Sequence, residues 1–120
     1  MKVTISITKN FKAEAKPLLK KYHSLPKDLL KLEKGLIENP RLGTPLGQGC
    51  YKIRLKIASK GKGKSGGARV ISLVENVLIG ITEIADKEIT VTLISIFDKA
   101  DVANISDKEL KELIKSFRNE

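Results

Sequence analysis

The stretch CYKIRLKI, residues 50–57, is the clearest structural signal in the chain. Tyr51, Ile53, Leu55 and Ile57 alternate with Lys52, Arg54 and Lys56. A period of two sends one set to each face of a β-strand. One face must therefore enter a core, and the other must present a row of cations. Side chains two residues apart on a strand stand about 6.6 Å from each other. Two unit charges at that spacing repel by about 2.5 kcal/mol at an effective dielectric of about 20. An anion laid across the row relieves that repulsion.

Working outward, residues 39–49 (NPRLGTPLGQG) read as a loop, and residues 59–67 (SKGKGKSGG) as a flexible basic loop. Beyond that loop, Ala68 to Val74 is predicted as a strand, and Val77 to Ala85 as its continuation or a neighbour. Asp86, Lys87 and Glu88 make a turn into a last strand, Ile89 to Phe97. Ser106 and Glu109 form a capping box, and Leu110, Leu113, Ile114 and Phe117 give the closing helix an apolar stripe.

Upstream, Val3, Ile5 and Ile7 alternate with polar neighbours. Met1 to Thr8 is thus expected to be a first strand and not a secretory signal. Phe11, Ala15, Leu18, Leu19 and Tyr22 follow at helical spacing, with Pro17 forcing either a kink or a start near Lys16. Ser24 and Pro26 open a second helix, with Leu29, Leu32, Leu36 and Ile37 facing the core and Pro40 as its stop. The order predicts an α+β fold: a small, mostly antiparallel sheet with an N-terminal helical hairpin and a C-terminal helix. All helices are expected on one face and the basic row on the other.

The chain has 120 residues, the size of one domain, and a net charge of +9. The distribution of that charge is more telling than its size. Residues 39–74 hold eight basic side chains and no acidic one, whereas residues 75–120 hold ten acids against six bases. A stretch of one sign creates a field that concentrates anionic partners, nucleic acid foremost. One cysteine allows no internal disulfide, which fits a reducing, cytoplasmic setting. No apolar run reaches the ~18 residues that a membrane span needs.

Several familiar signatures fail on their own terms. Gly61, Gly63 and Gly66 fit G-x-G-x-x-G, but a strand follows where a dinucleotide site needs a helix N-terminus. Gly63, Lys64 and Ser65 imitate the end of a phosphate-binding P-loop, whose first glycine would fall on Ala58. His23 and Cys50, the only residues of their kinds, supply neither a metal ligand set nor a nucleophilic pair. No cofactor is expected. The basic row is left, and lysine beside arginines can divide the work of base and phosphate clamp on RNA, whose own 2′-hydroxyl is the nucleophile.

The segments YKIRL (51–55), GKGKSGGARV (61–70) and ISIFDK (94–99), in that order after a helical hairpin, resemble the RelE/ParE toxin superfamily, and within it the HigB-like branch. The likeness spans Phe11 to the C-terminal helix. It implies the toxin of a type II toxin–antitoxin pair, a ribosome-dependent endoribonuclease acting on mRNA and neutralised by a cognate antitoxin that covers the basic face. The family's strand residues fall on Lys52, as general base, and Arg54. The arginine opening the next strand falls on Arg69, and the basic residue after the last strand on Lys99. Lys56, Lys60, Lys62, Lys64 and Phe97 are expected to hold ribosomal or messenger RNA. Two departures stand out: Ile105 replaces a C-terminal tyrosine, and Phe97 replaces a tyrosine before Asp98. Two alternatives stay open, a ParE-like inhibitor of DNA gyrase and an RNA-binding module without catalysis.

Overall fold

The computed structural model describes residues 2–60, 67–78, 87–99 and 104–120. Strand β1 (Lys2–Ile7) leads into helix α1 (Lys9–Lys21) and helix α2 (Leu25–Glu38), the expected hairpin. Thr8 opens α1, its hydroxyl accepting from the Phe11 amide at 3.0 Å. Pro17 lies inside one continuous helix. It and Ala13, whose carbonyl it leaves without a donor, both face solvent, so the lost bond is replaced by hydration and the helix does not break there.

Two short strands follow, β2 (Thr44–Gly47) and β3 (Cys50–Leu55), then a single 3-10 turn (Ala58–Lys60). β2 lies inside the segment expected to be loop. Gln48 and Gly49, both at positive φ, make the two-residue turn that pairs Gly47 with Cys50. Strand β4 (Ala68–Leu78) is one long element, antiparallel to β5 (Lys87–Asp98). Lys87 and Glu88, expected in a turn, open β5 instead. Residues 79–86, the rest of that expected turn and second strand piece, lie outside the described residues. Helix α3 (Asp107–Arg118) closes the chain. It carries the expected capping box: Ser106 Oγ accepts from the Glu109 amide at 3.2 Å, and Glu109 Oε1 accepts from the Ser106 amide at 3.3 Å.

The strands order β1-β5-β4-β3-β2, with β1 parallel to β5 and every other pair antiparallel. The fold is therefore α+β, with a mostly antiparallel sheet of five strands. Alternation divides its side chains between two apolar layers. Ile53, Leu55, Val70, Val91 and Leu93 pack beneath α1 and α2 with Phe11, Leu18, Leu25 and Leu36. Cys50, Ile71, Leu73 and Ile94 pack beneath Leu110 of α3. Helices thus cover both faces, contrary to the expected single helical layer. The C-terminal helix finds its apolar seat on the face that also carries the basic row. A register shift between Ile71 and Ser72 of β4, with Ile94 as the extra residue of β5, lets Ile94 join the α3 side while Leu93 and Ile96 stay in the other layer. The helical stripes deviate in one respect: Leu19 and Ile37, expected in the core, are exposed.

Candidate functional site

β3 and β4 are in register at Arg54↔Arg69 and Lys52↔Ile71, and β4 and β5 at Arg69↔Phe97. Neighbouring strands lie about 4.8 Å apart, so Arg54, Arg69 and Phe97 form one row across three strands. Lys52 sits two residues back along β3 on the same face. Lys52 is half-buried and Arg54 exposed, while Arg69 retains only 5% of its surface. Burial, and then the charge of Arg54, push the Arg69 guanidinium below its ordinary pKa. Its Nη1 donates to the Ala68 carbonyl at 3.1 Å. Like charges placed directly opposite on a sheet destabilise it, so this pairing is kept at a cost to the fold.

Among the described residues neither Lys52 nor Arg54 forms an ion pair with a carboxylate. Lys52 Nζ instead donates to Asn104 Oδ1 at 3.3 Å, a residue just before α3. Nothing in the sequence pattern singled out Asn104, because that partner is fifty-two positions away. Lys99 is exposed at the end of β5, its amide bonded to the Gly67 carbonyl at 3.3 Å. That places it at the end of the sheet where β4 begins and β3 finishes. Lys56, also exposed, lines a recess of about 300 Å³ with Arg54 and with Asp28, Lys31 and Leu32 of α2. Phe97 borders a second cavity, of about 290 Å³, shared with Ile105 and Leu113 and edged by Glu14, Glu109 and Glu112. Glu14 Oε1 there accepts from Ser95 Oγ at 2.8 Å and from Asn10 Nδ2 at 2.6 Å.

Lys60 does not join this row but is bound on the other side of the sheet. Its ammonium meets Asp98 Oδ1 at 2.7 Å, with side-chain exposures of 14% and 1% for the two partners. Tyr22 donates its phenol to Asp98 Oδ2 at 2.7 Å, and the Lys60 ammonium stands 5.5 Å from the Tyr22 ring centre. The hydrogen bond from Lys60 to Asp98 holds the ammonium above its ordinary pKa. The physical reason is parity: Asp98 follows Phe97 by one residue and so points to the opposite face, into the helical hairpin. The adjoining turn is pinned twice more. Asp28 accepts from the Ala58 amide at 3.3 Å, and Ser24 Oγ accepts from the Ser59 amide at 2.8 Å. The foot of the glycine- and lysine-rich loop is thus anchored to α2 and β5. Lys62 and Lys64 lie outside the described residues. No group of three or more His, Cys, Asp and Glu side chains is arranged to hold a metal ion among the described residues. No helix there is long and apolar enough to cross a membrane.

The arrangement has two chemical capacities. Two guanidiniums from adjacent strands can grip the oxygens of one phosphate, and an aromatic ring beside them can stack on a base. No protein-family model matches the chain, and no curated protein matches it.

Proposed function

We propose that the basic row binds an RNA phosphodiester and cleaves it, as the toxin of a toxin–antitoxin pair acting on mRNA at the ribosome. The observation that carries this reading is the Arg54↔Arg69 cross-strand pair with Lys52 on the same face. A phosphate between the arginines turns a repulsive pair into two charge-assisted clamps. Lys52 is the base that takes the 2′-hydroxyl proton. The freed oxygen attacks the adjacent phosphorus, and the bond from phosphorus to the 5′-oxygen breaks. A 2′,3′-cyclic phosphate and a 5′-hydroxyl result, the 5′-oxygen taking up a proton. Arg54, Arg69 and Lys99 stabilise the charge that builds on the phosphoryl oxygens. Lys56 extends the electrostatic track, and Phe97 stacks on a base.

Mapping mRNA 5′ ends after brief induction in cells tests this reading. New ends that vanish with Lys52→Ala and Arg69→Ala support it. Intact transcripts accompanied by accumulating DNA breaks would instead favour inhibition of gyrase. One observation favours a second reading, RNA binding without cleavage. Phe97 and Ile105 carry no titratable proton, and the Lys52 ammonium is engaged by Asn104. In that case RNA binds with a steep salt dependence and stays whole.

A further inference from the structure

On the α3 side of the sheet, next to the basic row, the cavity bordered by Phe97 has walls that the proposed cleavage leaves without a task. β3, β4 and β5 line up there in two rows, Arg54–Arg69–Phe97 and Lys52–Ile71–Ser95. β1 ends opposite Leu93, so among the described residues no strand covers the outer side of β5 at Ser95 and Phe97. Glu14 of α1 reaches over that edge, while Ile105 and Leu113 supply apolar walls from the α3 side. The space, about 290 Å³, lies at the small end of ligand pockets, which begin at about 300 Å³. It suits one flat ring.

The polar groups on the walls define the ring. Glu14 is held in place from the side: its Oε1 accepts from Ser95 and from Asn10, and Asn10 also donates to the Ile94 carbonyl at 2.9 Å. Both bonds fall on Oε1, so Oε2 is left to a ligand. Glu109 is committed to the α3 cap, whereas Glu112 is exposed at the rim. Ionised carboxylates only accept hydrogen bonds, so the occupant must donate. Inside the cavity an anion would meet Glu14, Glu109 and Glu112, and a cation would sit beside Arg69 and Lys52. What fits is a neutral, flat group with N–H donors on its edge, joined to a phosphate that reaches Arg69. A nucleobase is that group, since single-stranded bases are read by stacking on an aromatic ring and by hydrogen bonds along the Watson–Crick edge. Guanine alone sets two donors side by side on that edge, N1–H and the 2-amino group. Adenine and cytosine place a ring-nitrogen acceptor beside their amino group, and uracil flanks its one N–H with carbonyls.

We propose that this cavity selects guanine in the bound RNA, with the ring against Phe97 and its two donors on the carboxylates of Glu14 and Glu112. The proposal rests on the RNA reading of the basic row and adds a base preference to it. The test uses the full chain and single-stranded RNAs of about ten residues, uridine throughout except for one central guanosine, inosine or adenosine. Inosine is guanosine without the 2-amino group. Filter binding at low salt should rank the guanosine RNA about tenfold above the other two. Glu14→Gln keeps an oxygen for Ser95 and Asn10 but turns the other acceptor into a donor. It should erase the difference between guanosine and inosine, and so should Glu112→Gln at its exposed position. Circular dichroism checks that both variants fold. Retention of none of the three RNAs defeats the RNA reading, and this inference with it. Equal retention of all three overturns the base preference alone and leaves the row as a phosphate site. A guanosine preference that survives both substitutions also overturns the proposal, because the base is then read elsewhere. So does a preference for adenosine, whose edge sets an acceptor against the carboxylates.

Discussion

Two cation sites stand at the same end of the sheet and follow opposite rules. On the hairpin side Lys60 is matched by Asp98, and Tyr22 donates to the same carboxylate. On the α3 side Arg69 is matched in register by Arg54, cation against cation. One residue of parity along β5 decides which side receives the acid. Lys60 is bound to a carboxylate on the hairpin side, whereas the Arg69 guanidinium on the other side feels the charge of Arg54 beside it.

The sharpest way to break this contrast is Asp98→Ala. It leaves the Lys60 ammonium and the Tyr22 phenol without their shared acceptor, and removing one partner of a buried pair is far more costly than the pair's net worth. Stability should fall by about 3 kcal/mol, read from chemical denaturation. Arg54→Ala should do the reverse. Relief of the like-charge pair should raise stability by about 0.5 kcal/mol, while affinity for single-stranded RNA at low salt should fall about tenfold. Calorimetry and filter binding on one preparation would show both. Stability lost together with affinity would make Arg54 an ordinary structural residue and end the contrast.

Titration sharpens the same comparison. Lys60 has its pKa raised above the ordinary 10.5, first by its bond to Asp98. A raised folded pKa adds stability that is complete below the unfolded value and is lost as pH climbs through the folded one. Wild type should therefore keep an advantage over Lys60→Met up to about pH 10 and lose it above. Denaturation midpoints measured across that range would show the two curves converging. Curves that stay parallel would mean that the ion pair contributes nothing.

What could be read in advance was local. Alternation in residues 50–57 disclosed both β3 and the face of its cations. Ser106 and Glu109, three residues apart, disclosed the start of α3. What escaped was either non-local or masked by composition. Asp98 looked like part of a basic-site motif beside Lys99, and its partner Lys60 lies thirty-eight residues away. β2 was hidden by Pro45 and the glycines around it, residues that signal turns even where a short edge strand forms. The side on which α3 packs was equally out of reach. It depends on Ile71, Leu73 and Ile94 forming a second apolar patch, which Ile94 joins only because it is the extra residue of β5 at the register shift.

The smallest expected effect concerns the junction of the basic row with α3. Asn104 accepts from Lys52 at an exposed position, so Asn104→Ala should alter stability by no more than about 0.5 kcal/mol. Its effect belongs to the site. With the bond gone, Lys52 Nζ is free to turn toward a bound phosphate, and the two readings of the row then diverge. If Lys52 is the base, release from Asn104 changes cleavage by a few-fold while RNA affinity barely moves. If the row only binds, affinity shifts slightly and no new RNA ends arise at any level of the variant. Single-turnover cleavage and binding, measured side by side on the same RNA, therefore use the mildest substitution to ask the most specific question about Lys52.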